Sequence, residues 1–214
     1  MTPASLPLDR IAPYAVRDDF LPTDDLRMLI AWTLAREADF VTTLVGGLHG
    51  RVDAAIRASR CLPTKKFEPQ HALFRNHLAP LVPNLCAALG LQDFAVGRFE
   101  LGLVCHNDGD YYRRHIDAAV MTKGQNATRA ISVVFYFHPE PKGFSGGQLR
   151  LHPFSARAAT AAFTDLSPQQ NRLVAFPSWA PHEVMPVSCS SGAFAASRFS
   201  VNCWIHRAVP DGDQ

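Results

Sequence analysis

The chain reads as an α+β protein, mainly β, whose helical front half braces a strand-rich sandwich or barrel. Three observations carry this reading. Apolar residues recur at helical spacing up to about residue 90, they alternate with period two from Ala95 onward, and the alternating runs are short and parted by Gly, Pro and Asn turns. At 214 residues one domain, 1–214, is expected, with 1–94 as helical support and 95–206 as the β core.

Taken in order, the first helix is expected from Asp24, capped by Thr23, with early acids at the positive end of its dipole. Leu26, Leu29, Ile30, Thr33 and Leu34 trace one face, and the pattern runs to about Ala38. A second helical region starts near Pro69 and carries Leu73, His77, Leu78 and Leu81. It is bent or broken around Pro80 and Pro83 and ends at Gly90. From Ala95, Phe99, Leu101, Leu103 and Cys105 share one face of a strand, with Arg98, Glu100 and Val104 on the other. Asn107-Asp108-Gly109 is a typical turn sequence, so His106 and Asp108 are read as hairpin chemistry. Residues 118–128, with Lys123-Gly124-Gln125-Asn126, read as a lid, a substrate-binding finger or a disordered connection. Residues 188–197, rich in Ser, Cys, Gly and Ala, read as an inserted loop near a pocket mouth.

Composition narrows the function classes. A formal charge of +2, with no Lys/Arg run beyond short doublets, is too small to suggest a dedicated nucleic-acid surface. Five cysteines, odd in number and without a Cys-x-x-Cys, read as free thiols of a reducing compartment. No stretch reads as a signal peptide or membrane span, so a cytoplasmic location is expected.

The chemistry concentrates in His115-Ile116-Asp117, His182, Arg198 and Ser200. In an extended segment His115 and Asp117 point to one face while Ile116 enters the apolar layer behind. With His182 from another strand they form a two-His, one-carboxylate set that suits Fe(II) and leaves coordination positions open. Alternation also places Arg198, Ser200, Asn202 and Trp204 on one face. Arg198 can grip a carboxylate through two parallel hydrogen bonds, and Ser200 can add a hydroxyl.

These residues resemble the pattern of the 2-oxoglutarate- and Fe(II)-dependent dioxygenases, in the prolyl 4-hydroxylase-like branch. The resemblance rests on His115 and Asp117, the distal His182, and Arg198 heading Arg-x-Ser with Trp204 six residues on. It extends over roughly 95–206 through Tyr112 three before the first His, the Arg129–Phe137 block, the Gly-led Ser145–Leu151 block and Pro181-His182-Glu183-Val184. It implies a double-stranded β-helix, the distorted, cupin-like jelly roll, braced by the N-terminal helices. It also implies Fe(II), 2-oxoglutarate and O2 as cofactor and co-substrates, with ascorbate as a candidate reductant.

In the roles so implied, His115, Asp117 and His182 are catalytic metal ligands, and Arg198, Tyr136, Ser200 and Leu149 bind the co-substrate. Arg113, Arg129 and Trp179 are candidates for the substrate side, Trp179 either lining the pocket or capping the barrel. The reaction implied is hydroxylation of an unactivated C–H bond in a protein or peptide residue, with succinate and CO2 formed. A small-molecule hydroxylase on the same scaffold is the alternative, and a 2-oxoglutarate-independent cupin-like metal protein is the reading from another class. Many relatives carry a Tyr where this chain has Cys105, so one hydroxyl contact to the co-substrate is expected to be absent.

Overall fold

The period-two pattern that begins at Ala95 folds into two facing antiparallel sheets in the computed structural model, which describes residues 10–45, 50–118, 128–154 and 162–209. In chain order, strand β1 (Ala15–Arg17) leads to helix α1 (Thr23–Leu34), strands β2 (Val41–Thr42), β3 (Arg57–Ala58) and β4 (Arg60–Cys61), and helices α2 (Thr64–Phe67), α3 (His71–Leu78) and α4 (Val82–Ala88). The described part of the second half is built mainly of strands: β5 (Val96–His106), β6 (Tyr111–His115), β7 (Arg129–Phe137), β8 (Ser145–Gly146), β9 (Leu149–Leu151), β10 (Thr164–Leu166), β11 (Arg172–Pro177), β12 (His182–Val184), β13 (Val187–Ser188) and β14 (Arg198–Arg207). The larger sheet has the order β1-β11-β7-β14-β5-β4-β2, the smaller one β10-β9-β12-β6-β3, and β8 and β13 form a ribbon. This is the double-stranded β-helix. The first 94 residues supply strands to both sheets as well as helices.

Alternation decides what each face of the larger sheet does. On β7, Ile131, Val133, Phe135 and Phe137 join the core shared with the helices, while Val134 and Tyr136 face the smaller sheet. β11 repeats this with Leu173 and Ala175 on one side and Val174 and Phe176 on the other. Both faces are covered, so these strands read as near-continuous apolar runs. The helix side is filled by Leu29, Phe67, Phe74, Leu78, Leu85 and Cys86, with Phe74 and Phe20 set 5.6 and 5.4 Å from the Phe135 ring. Aromatic pairs at these spacings add to the area they bury.

The helices differ from expectation at their ends. α1 begins at Thr23, with Pro22 at the N-cap position and no side-chain cap, and stops at Leu34 rather than near Ala38. The chain turns early because Phe40 must be buried against Phe194, 5.0 Å away. The second region breaks at Pro80, as its prolines require, into α3 and α4 joined by a 3-10 turn. α4 ends in a Schellman motif: Gly90 has φ +65°, Leu91 N–H donates to Cys86 O and Gly90 N–H to Ala87 O.

Residues 188–197 form an ordered loop. Cys189 N–H donates to the Asp108 carboxylate, a 3-10 turn spans Phe194–Ala196, and Phe194 enters the core. Residues 119–127, within the expected lid or finger, and the N-terminal residues 1–9 lie outside the described residues.

Candidate active site

Two strands of the smaller sheet bring the metal-ligand candidates together. His115 ends β6, His182 begins β12, and the antiparallel register sets them directly opposite. Asp117 follows two residues after His115. Its Oδ1 lies 3.6 Å from His115 Nε2 and its Oδ2 3.5 Å from His182 Nε2. The candidate ligand atoms of all three lie within 4.8 Å of one another. Each imidazole is oriented from behind. His115 Nδ1 lies 2.8 Å from Arg113 O and His182 Nδ1 2.9 Å from Ala180 O, contacts in which the carbonyl accepts. The hydrogen therefore sits on Nδ1, and both Nε2 atoms keep a lone pair for a cation.

Electrostatics agree with the geometry. Burial pushes the His182 imidazole down to about 4, so it is neutral at pH 7. Burial alone would raise the Asp117 carboxyl, but His182, His115 and the Ser132 hydroxyl outweigh it and hold the group well below its ordinary value. Two imidazoles and one carboxylate on one side of a cavity of about 320 Å³ suit a divalent cation with open positions.

The other end of that cavity is a cluster of donors. Arg198, 1% exposed, donates from Nε to Gly147 O at 2.8 Å and from Nη1 toward Ser200 Oγ at 3.4 Å. His106 Nδ1 is 3.3 Å from Arg198 Nη1; a guanidinium only donates, so Nδ1 accepts and the His106 hydrogen lies on Nε2. Among the described residues, Arg198 Nη2, His106 Nε2 and the Tyr136 hydroxyl are buried without a hydrogen-bond partner. Such groups are costly unless a ligand satisfies them. A guanidinium with a free Nη2, with two further unpartnered groups able to donate on the residues beside it, fits the distal carboxylate of 2-oxoglutarate. Leu149, buried, adds an apolar wall.

Gly147 makes this arrangement possible. It has φ +67°, and a Cβ there would stand 2.6 Å from Arg198 Cδ.

The remaining candidates divide. Arg129 lines the cavity, donates to both Glu100 carboxylate oxygens and to Asp117 O, and stacks 4.2 Å over Trp204. Arg113 is exposed, donates to Ala55 O and lies over Tyr111, outside the cavity lining. Trp179 packs against the apolar cluster between the sheets, which is the capping role. Cys105 faces the helix-side core, so it is not a pocket position; strand alternation gives that place to its neighbour His106. Asp108 does belong to the turn, as expected.

Sequence reasoning passed over His106, Glu100 and Arg57 as cavity residues, Arg57 lying 4.5 Å over the Tyr112 ring, which itself stacks on His115 at 3.6 Å. For His106 and Glu100 the signal was present, since both fall on the period-two face opposite Leu101, Leu103 and Cys105. Arg57 lies on a two-residue strand too short to show a pattern.

Comparison with known proteins agrees with this geometry. A family model described as the 2OG-Fe(II) oxygenase superfamily matches residues 101–206. An uncharacterized PKHD-type hydroxylase of Synechocystis is 41% identical over 157 residues, covering 72% of this chain and 51% of the relative. The chain spans about half the length of the curated relatives it matches. Among solved structures, a Pseudomonas putida prolyl-4-hydroxylase is similar with TM-score 0.58 and 23% identity, over 92% of this chain and 94% of that one. A Trichoplax adhaerens prolyl hydroxylase, solved with a hypoxia inducible factor peptide fragment, gives TM-score 0.63 and 20% identity over 91% and 84%. At these identities the structures speak to the fold.

Proposed function

Because the chain belongs to the 2OG-Fe(II) oxygenase superfamily, we propose that it is a hydroxylase acting on an unactivated C–H bond of a protein or peptide residue. The observation that carries this reading is the pairing, in one cavity, of a His-Asp-His set with a buried, unsatisfied donor cluster around a guanidinium. Either half alone has other uses. Together they match a metal and a dicarboxylate that chelates it.

In this reading His115, Asp117 and His182 hold Fe(II), and Arg198, Ser200, Tyr136 and His106 hold the distal carboxylate of 2-oxoglutarate beside Leu149. When bound, iron and 2-oxoglutarate with O2 supply the oxidative decarboxylation to succinate and CO2 that drives hydroxylation. The chain contributes orientation, charge compensation and a dry enclosure. The Asp117 carboxylate and Arg198 guanidinium offset the charges of the bound pair. Tyr112, Trp204 and the Arg129–Glu100 pair line the cavity beside the metal ligands. A polypeptide substrate is proposed because a neighbour of like fold, the Trichoplax adhaerens prolyl hydroxylase, was solved with a peptide fragment. Ascorbate is the proposed reductant and the cytoplasm the proposed location, in keeping with five free thiols and with no helix among the described residues long and apolar enough to cross a membrane.

The test is an anaerobic titration of metal-free protein with Fe(II) and then 2-oxoglutarate, reading the weak visible charge-transfer band of a chelated keto acid. The band is expected in the parent and absent in His182→Ala. Tight iron binding without a band favours the cupin-like alternative, and no iron binding removes the oxygenase reading.

A further inference from the structure

We propose that Ser132 and Ser178 form a hydroxyl relay that positions the Asp117 carboxylate, a role that rests on the metal-binding reading above. Both serines are buried, at 2% and 0% exposure. Ser132 lies on β7 where its strand neighbours Ile131 and Val133 are apolar and fully buried, and Ser178 lies in the turn between β11 and β12. A hydroxyl in such a setting is costly unless its hydrogen bonds are made.

The direction of the relay follows from donor arithmetic. Ser132 Oγ lies 2.7 Å from Asp117 Oδ2 and 3.0 Å from Ser178 Oγ. An ionised carboxylate only accepts, so the single Ser132 hydrogen goes to Asp117, and Ser178 donates to Ser132. The chain Ser178→Ser132→Asp117 ends on one oxygen of the carboxylate and restrains its rotation. The main chain of Ser178 holds the same residue from the other side: its carbonyl accepts Asp117 N–H at 3.0 Å and Ala118 N–H at 2.8 Å. Ser178 N–H in turn donates to Ala130 O at 3.0 Å, tying the turn to β7. Four residues later the same turn delivers His182. Ser178 thus couples the positions of Asp117, just beyond β6, and His182, at the start of β12, and Ser132 transmits that coupling to the carboxylate. Neither Ser132 nor Ser178 lines the cavity itself, and both act through Asp117, so they are positioning residues.

Groups that orient a ligand from behind typically carry about 10- to 100-fold in metal affinity. The test compares Ser132→Ala, Ser132→Thr and Ser178→Ala with the parent in Fe(II) affinity, in the visible spectrum of the Co(II)-substituted protein, and in thermal unfolding of the metal-free protein. Ser132→Ala is expected to weaken Fe(II) binding about 10- to 100-fold and to alter the Co(II) spectrum, with little change in metal-free unfolding. Ser132→Thr is expected to restore both readouts, and Ser178→Ala to show a smaller loss in the same direction. Parent-like affinity and spectrum in both alanine variants would overturn the proposal, as would a Thr variant as impaired as Ala. If Ser132→Ala does not fold, Ser178→Ala decides, because it deletes only the far hydroxyl. Failure of the parent itself to bind Fe(II) would overturn the functional reading and this proposal with it, whereas parent-like variants overturn this proposal alone.

Discussion

His106 changes most between the sequence and the fold. Asn107-Asp108-Gly109 signals a turn so strongly that the preceding His is drawn into it, yet β5 runs through His106 and turns its ring into the cavity beside Arg198. Burial first, and then the charges of Arg198 and Arg57, hold the imidazole well below its ordinary value of 6.5. In the unfolded chain the same ring takes up a proton near its ordinary value. Below that pH the unfolded state binds more protons than the folded one, so this contribution is present above about pH 6.5 and declines as the solution is acidified. Replacing His106 by Asn is expected to flatten the fall in unfolding temperature of the metal-free protein between about pH 7 and 5. A variant with the parent's slope would show that His106 does not set it. His115, Asp117, His182 and Arg198 were legible at this scale because each chemistry needs one residue type at one spacing. The Ser132 and Ser178 hydroxyls were not, because serine is too common and their meeting with Asp117 joins three segments distant in the sequence.

At the scale of elements, strand faces were predictable and element ends were not. Alternation places Leu101, Leu103 and Cys105 in the core and Ser200, Asn202 and Trp204 in the cavity, because a one-residue shift would exchange every side chain between faces. α1 stops early and residues 188–197 are pinned, both for the sake of a contact between Phe40 and Phe194, 154 residues apart, which no local window contains. The glycine before β9 has a similarly distant reason. Gly147→Ala would meet both a left-handed backbone, costing roughly 1–2 kcal/mol, and the Arg198 side chain. This variant is expected to weaken 2-oxoglutarate binding, read by the charge-transfer titration, by a larger factor than it weakens Fe(II) binding. Equal losses for the two would mean that Arg198 does not depend on this glycine.

For the whole molecule, burial of both faces of the larger sheet predicts where chemistry is closed to solvent. Four of the five cysteines are buried and only Cys61 is partly exposed. Burial pushes the Cys105 thiol up to about 11 and raises Cys203 further from its ordinary range. A thiol reagent is therefore expected to modify one group per native chain quickly and all five after denaturation; fast reaction of a second group would show that the core opens. By itself, the sequence determined the helices of the front half, the two-faced strands, the His-Asp-His set and the face shared by Arg198, Ser200, Asn202 and Trp204, since periodicity and side-chain chemistry are local properties that survive without a fold. Only the tertiary structure decided that His182 sits opposite His115, that His106 rather than Cys105 enters the pocket, that Arg113 stays outside it, and that Ser178 holds Asp117. Those relations depend on strand register and on turns that bring distant segments within a few ångströms, and register is set by the packing of the whole core.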